Sequence, residues 1–170
     1  MIERLKKREG LDDPFALFHL GLYYLDGRHG FPQDYGKALE LWHRSAELGY
    51  NAYNNIGYVY DNGLGVKVDE KKANHYYELS AMGGDEVARN NLGNNELRAD
   101  NVNRALKHYM IAVRVGCADS LTNIKQMHSD GDATKEDYTT ALQAYQEYLS
   151  EIKSSQRDKA AAADEDYRYY

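Results

Sequence analysis

Four positions at nearly equal spacing carry side chains that can bond to a polypeptide backbone. They are His19, Asn55, Asn91 and Asn123, which lie 36, 36 and then 32 residues apart. A carboxamide has both a donor and an acceptor, so it can pair with the C=O and N–H of an extended peptide whatever the peptide's side chains are. Neighbouring helices lie roughly 8 to 10 Å apart, about the length of three extended residues. One asparagine could therefore serve every third residue of a ligand, unless these asparagines bond between adjacent helices instead.

Further polar side chains are expected on the same wall, and Arg98 is available there for a carboxylate. The complete set of candidate peptide-binding residues is Asn54, Asn55, Tyr58, Asn90, Asn91, Asn94, Arg98 and Asn123.

No motif in the sequence indicates catalysis or a metal site. The run from Gly63 to Lys67 lacks the spacing of a phosphate-binding loop and follows a helix rather than a strand. The six histidines include no pair four residues apart and no His-Glu-x-x-His motif. Aspartates such as Asp13, Asp34, Asp69 and Asp137 stand where helices begin, and capping accounts for them. We therefore expect no enzyme activity, no metal and no cofactor.

Helical spacing and turn residues recur along the chain. Ala16, Leu20, Gly21 and Tyr24 repeat as Ala52, Ile56, Gly57 and Tyr60 after 36 residues, and Ala88, Leu92 and Gly93 follow after 36 more. A second series pairs an alanine with an aromatic residue four positions later, at Ala38 and Trp42, Ala73 and Tyr77, Ala105 and Tyr109, and Ala141 and Tyr145. A period of this length is typical of stacked helix pairs.

Local signals predict where these helices begin and end. Asp13 followed by Pro14 is a favoured N-terminus, Asp69 is a predicted N-cap, and a box at Thr134–Asp137 predicts the start of the last helix. The turn from Gly63 to Gly65 breaks the first helix of its pair. The third pair lacks such glycines, so Asp100 or Asn101 must adopt the left-handed conformation there.

The predicted fold class is all-α: a right-handed α-solenoid of about four helix-turn-helix repeats with a long C-terminal capping helix. The first helices form the inner layer. The predicted organisation is a leader (1–12), a solenoid (13–163) with repeats at 13–50, 51–84, 85–117 and 118–153 and a helical extension to about 163, and a tail (164–170).

These motifs resemble the Sel-one-like repeat (SLR), a relative of the tetratricopeptide repeat. The resemblance rests on Ala-x-x-x-Leu-Gly-x-x-Tyr, the Gly-x-Gly-Val turn and Lys-Ala-x-x-x-Tyr, and the whole chain is similar to short-array SLR proteins of unicellular eukaryotes. It implies a scaffold or adaptor that binds a protein or peptide in its concave groove. Tetratricopeptide proteins place an asparagine at the position matching Asn55, Asn91 and Asn123 to bond the backbone of an extended peptide.

Composition limits the other classes of partner. The formal net charge is −6 and no Lys/Arg-rich face recurs, so neither nucleic acid nor an anionic membrane is expected as a partner. A single cysteine, Cys117, fits a reducing compartment, and we expect an intracellular, cytoplasmic monomer. Two alternatives stay open: a small-molecule enzyme, or a nucleic-acid-binding helical repeat, with no recognisable motif.

Overall fold

The structure is a computed structural model, which describes the backbone of residues 2–167 and the side chains of residues 4, 5 and 7–156. Helices and their connecting turns make up the described part of the chain, which contains no strand, so the predicted all-α class is confirmed. The helices are α1 (Ile2–Glu9), α2 (Pro14–Asp26), α3 (Tyr35–Glu47), α4 (Tyr53–Asn62), α5 (Glu70–Met82), α6 (Glu86–Arg98), α7 (Val102–Arg114), α8 (Ala118–Asp130) and α9 (Lys135–Tyr167).

The helix starts that the sequence predicted are capped as expected. The Asp13 carboxylate accepts from the Ala16 amide at 2.9 Å, and the Asp69 carboxylate accepts from the Lys72 amide at 3.0 Å. In the box before α9, the Asp137 amide donates to Thr134 Oγ1 at 3.1 Å, while the Thr134 amide donates to Asp137 Oδ2 at 2.9 Å. Each cap satisfies backbone donors that have no partner within the helix.

The predicted turn residues are confirmed as well. Gly63 follows α4 with a φ of 66°, and Asp100 has a φ of 61° between α6 and α7. Both values lie in the left-handed region, which glycine reaches freely and which Asp tolerates better than most residues.

The chain divides into two compact units, which we call the N-terminal unit (Met1–Asn95) and the C-terminal unit (Glu96–Tyr170). In the N-terminal unit, α2 packs on α3 and α4 packs on α5 as antiparallel pairs, and α3 contacts α4. A buried cluster that includes Trp42, Ile56 and Val59 joins α3 to α4, and Phe18 and Leu22 of α2 pack against it. A second cluster joins α5 to α6 through Tyr77, Ala88 and Leu92.

Glycines allow α2 to approach α3 closely, and α4 to approach α5. A Cβ on Gly57 would lie 2.7 Å from Cδ1 of Tyr77 and 3.1 Å from the Ala73 carbonyl oxygen. A Cβ on Gly21 would likewise collide with the indole of Trp42, at 2.8 Å from Cδ1. In these two pairs, the aromatic residue of the second helix therefore fills the space that a side chain on the first helix would occupy.

In the C-terminal unit, α7, α8 and α9 surround one buried cluster, which includes Tyr109, Val113, Ile124, Met127 and Ala141. Ala141 anchors α9 to this cluster, whereas Leu149, two turns further on, is 38% exposed. The apolar contact of α9 with this cluster is therefore weaker at Leu149 than at Ala141.

The two ends of the chain bear on the predicted leader and tail. Helix α1 occupies most of the predicted leader, and its Leu5 is buried against Leu17 and Leu20 of α2. Helix α9 continues to Tyr167, and residues 168–170 of the predicted tail lie outside the described residues. Among the described helices, none combines the length and the apolar character needed to cross a bilayer.

Candidate functional site

One face of α4 presents Asn54, Asn55 and Tyr58. Ile56, Gly57 and Val59 are buried in the core, so the helical period turns the neighbouring positions away from it. The two asparagines are half-buried and the Tyr58 side chain is 45% exposed. The predicted residues of α4 therefore lie together on a partly exposed surface.

Helix α6 places its asparagines by the same rule. Ala88 and Leu92 pack against α5, which leaves Asn91 and Asn94 half-buried and Asn90 buried, with only 6% of its surface exposed. A carboxamide buried this deeply favours a structural contribution from Asn90.

A hydrogen bond joins the α4 and α6 asparagines directly, so Asn91 forms the bond between neighbouring helices that the sequence left open as the alternative to ligand binding. Asn91 Nδ2 donates to Asn54 Oδ1 across 3.1 Å. This bond uses one donor of Asn91 and the oxygen of Asn54, so the Asn54 amide hydrogens and the Asn91 oxygen stay available. The joined pair thus still offers a donor and an acceptor, the two groups that an extended backbone can bond.

Asn55 differs from this pair because its carboxamide forms no hydrogen bond within the described part of the chain. It is half-buried and follows Asn54 directly on α4. We call Asn54, Asn55, Tyr58 and Asn91 the amide face.

A second asparagine pair, which the sequence did not single out, fixes α6 against α5. Asn95 Nδ2 donates to Asn74 Oδ1 across 2.6 Å, and Asn95 is only 8% exposed. The signal was the run of asparagines at 90, 91, 94 and 95, in which positions four apart share a helix face. Asn91 and Asn95 thus hold α6 against two neighbouring helices.

The remaining two predicted residues belong to the C-terminal unit. Arg98 is exposed at the end of α6 and lies near Tyr109. Burial raises the pKa of Tyr109 to about 12, and the positive charge of Arg98 opposes that rise. Asn123 is half-buried on α8, next to the buried Ile124.

The structure also contains a cleft that sequence reasoning missed, between α1 and α2 of the N-terminal unit. Its signal in the sequence was the basic run Arg4, Lys6, Lys7 and Arg8, which on sequence alone is accounted for by a solvated helix end.

Within residues whose side chains are described, no three His, Cys, Asp or Glu residues gather closely enough to hold a metal ion.

Comparison with known proteins identifies the repeats. The family model described as "Sel1 repeat" matches residues 14–50 and 51–85. The "ERAD-associated E3 ubiquitin-protein ligase component HRD3B" of Arabidopsis thaliana is 35% identical over 94 residues, which are 55% of this chain and 15% of that protein. The "Chitin synthase regulatory factor 3" of Schizosaccharomyces pombe is 36% identical over 69 residues, which are 40% of this chain and 7% of that protein. The chain therefore spans only a small part of these relatives.

Solved structures extend the likeness to most of the chain. A Sel1 repeat protein from Oxalobacter formigenes superposes with a TM-score of 0.70 and 27% identity, covering 91% of this chain and 63% of that one. A protective antigen of uropathogenic Escherichia coli strains, which displays an SLR fold, gives a TM-score of 0.72 and 26% identity over 89% of this chain and 33% of that one.

These likenesses confirm the predicted α-solenoid of helix pairs with a C-terminal helix. Sel1 repeats in general are non-catalytic and mediate contacts between proteins. Residues 14–85 are therefore two Sel1 repeats, and the chain has the fold of Sel1 repeat proteins.

Proposed function

We propose that this chain is an adaptor that binds an extended segment of a partner protein on the amide face. The observation that carries the proposal is the Asn91–Asn54 hydrogen bond, which orients two carboxamides while Asn55 beside them makes no bond within the described residues. Carboxamides held in this way present donors and acceptors at fixed positions.

Preorganisation supports a binding role for this face. The Asn54 side chain is already restrained by Asn91, so less rotamer entropy is lost when it bonds a ligand. Helix α6, which carries Asn91, is itself held to α5 by the Asn95–Asn74 bond. The acceptor and donor left on the bonded pair therefore sit on rigid helices.

Tyr58 is suited to an adjacent contact. Its side chain is 45% exposed one turn after Asn54, and a tyrosine offers a large rigid ring at a small entropic cost. Asn90 and Asn94 of α6 stay sequence-based predictions for further contacts. Arg98 and Asn123 stay sequence-based predictions for contacts made by the C-terminal unit.

The similar proteins suggest what such an adaptor serves. One relative is a component of an ERAD-associated ubiquitin ligase and another is a regulatory factor of chitin synthase. We extend from these names only a role in protein quality control or signalling, exercised by holding partner proteins. The lone cysteine, which is buried, is consistent with a reducing, intracellular compartment.

The experiment identifies a partner and then tests the amide face. Affinity capture with mass spectrometry gives the candidate, and calorimetric titration with the purified partner measures its affinity. Asn55→Ala is expected to weaken binding by about 0.5 to 1.5 kcal/mol, since one hydrogen bond to the ligand is lost. The unfolding free energy should change by less than about 0.5 kcal/mol, because Asn55 forms no hydrogen bond with the residues that the structure describes.

Asn103→Ala is the matched control, because Asn103 is exposed on α7 and is not one of the predicted site residues. This control should bind like the parent. In a triple variant, Asn54, Asn55 and Asn91 are all replaced by alanine. If this variant still unfolds cooperatively and binds the partner as tightly as the parent and the control do, the amide face is refuted as the binding site.

A further inference from the structure

The cleft between α1 and α2 has a volume of about 540 Å³. This size is within the range of about 300 to 1,000 Å³ that is usual for ligand sites. Among the lining residues whose side chains the structure describes, none is acidic, although the chain as a whole has a net charge of −6. They are Arg4, Leu5, Arg8, Phe15, His19 and Tyr23.

The cleft has an apolar interior. Phe15, His19 and Tyr23 are four residues apart and form one stripe along α2, and Leu5 of α1 is buried opposite them. The Phe15 and His19 rings are in contact, with centroids 4.2 Å apart, yet Phe15 is still 43% exposed. An exposed phenylalanine inside a concave surface favours a large apolar occupant.

Two arginines line the cleft, and because Arg8 is paired with the Asp13 carboxylate, Arg4 is the one whose charge is not offset by a described residue. Asp13 Oδ2 accepts from Nε and Nη2 of Arg8, at 3.1 and 2.6 Å, and the guanidinium lies 5.7 Å from the Phe15 ring centroid. Arg8 is thereby held in place, with Nη1 left over as a donor. Arg4 is exposed and makes no ion pair within the described residues.

The cleft is also related to the amide face through the repeat. His19 occupies the position in α2 that Asn55 occupies in α4, 36 residues later. Phe18, next to His19, packs against the cluster that contains Ile56 of α4. Both surfaces therefore belong to the first helices of successive repeats in the N-terminal unit.

We propose that this cleft receives a large apolar side chain from a partner segment whose neighbouring residues are acidic. Phe15, Tyr23 and Leu5 surround the apolar side chain, while Arg4 and the Nη1 group of Arg8 pair with carboxylates beside it. The inference rests on the proposed function, since it names the class of peptide that the adaptor selects.

Selection from a random peptide library displayed on phage tests this specificity without a known partner. The immobilised full chain should enrich peptides that carry an aromatic or large aliphatic residue next to Asp or Glu. One enriched peptide, made synthetically, is then titrated by calorimetry against the parent and its variants.

Arg4→Glu is expected to weaken that peptide by about tenfold or more, because it places a negative charge beside the ligand's carboxylates. Phe15→Ala should weaken it too, through loss of the apolar contact. The control is Lys71→Glu, which changes the net charge by the same amount at an exposed position on α5 and should have little effect. Circular dichroism establishes that each variant remains helical.

Enriched peptides without acidic residues, or equal binding by the Arg4→Glu and Lys71→Glu variants, would overturn the inference. A library that yields no enriched peptide would overturn it as well. If Asn55→Ala weakens peptide binding and Arg4→Glu does not, the cleft is rejected as the binding site and the amide face is retained. If Arg4→Glu weakens peptide binding and Asn55→Ala does not, the amide face is rejected instead.

Discussion

Glycine 57 shows how a single residue sets the distance between two helices. Because Gly57 has no side chain, the Tyr77 ring and the Ala73 carbonyl oxygen occupy the space where a Cβ atom would lie. Gly21 and Trp42 repeat the arrangement in the preceding pair. The motif's glycine and the aromatic residue of the second helix therefore form one packing unit, and neither can change size alone.

This pairing predicts a difference between two glycine substitutions. Gly36 lies in the first turn of α3, where a Cβ would meet only the Asp34 carboxylate at 3.4 Å. Both Gly36→Ala and Gly57→Ala replace a helical glycine with a better helix former, but only the second crowds a buried ring. We expect the unfolding free energy of Gly57→Ala to lie about 1 to 3 kcal/mol below that of Gly36→Ala in urea denaturation. Equal stabilities would mean that no close crossing exists at Gly57.

The asparagines show the limit of reasoning from single residues. The repeat period placed Asn55 and Asn91 at matching positions on successive first helices, but it did not say which asparagine Asn91 bonds. Asn54 and Asn55 are adjacent in sequence and point about 100° apart around the helix axis. The choice of Asn54 depends on the rotation and offset of α4 against α6, which spacing does not encode.

At the scale of helices, the aspartate caps connect structure to pH. The Ala16 amide, and then the Arg8 guanidinium, hold the pKa of the Asp13 carboxyl below its ordinary value of 3.8. A carboxyl whose pKa is lower in the folded state stabilises the fold above its unfolded pKa. That contribution is lost as the pH falls through the folded pKa.

Asp13→Asn separates the charge of this cap from its hydrogen bond. Asparagine can still accept from the Ala16 amide, but it no longer ionises or attracts Arg8. We expect a smaller decrease in melting temperature between about pH 4 and pH 2.5 for this variant than for the parent. Asp119→Asn, at an exposed position in α8, controls for the removal of one carboxylate. If the melting temperatures of Asp13→Asn and the parent decreased equally over this pH range, the proposed contribution of the Asp13 charge would be contradicted.

Element boundaries were predictable because their causes are local. Asp13, Asp69 and Thr134 act on amides within three residues, and Gly63 and Asp100 adopt their own left-handed conformations. The cleft between α1 and α2 was not predictable, since it depends on where a short helix docks. Nothing in the period of the repeats specifies the contact of Leu5 with Leu17.

On the scale of the molecule, the Sel1 repeats and both candidate binding surfaces lie in the N-terminal unit. A single helix pair cannot bury its apolar face, so successive pairs must pack against one another. The clusters that join α3 to α4 and α5 to α6 are these contacts. The same stacking places the first helices side by side, which is why amides on α4 and α6 can act together.

The most direct test of the amide face is hydrogen–deuterium exchange of the chain with and without its purified protein partner. We expect slower exchange on binding in α4 and in residues 86–95 of α6, because the ligand covers the surface that carries Asn54, Asn55 and Asn91. Helix α5, on the other side of these helix pairs, serves as the internal reference and should exchange at the same rate in both states. Protection confined to α5, or to the C-terminal unit, at a saturating concentration of the partner would contradict the account.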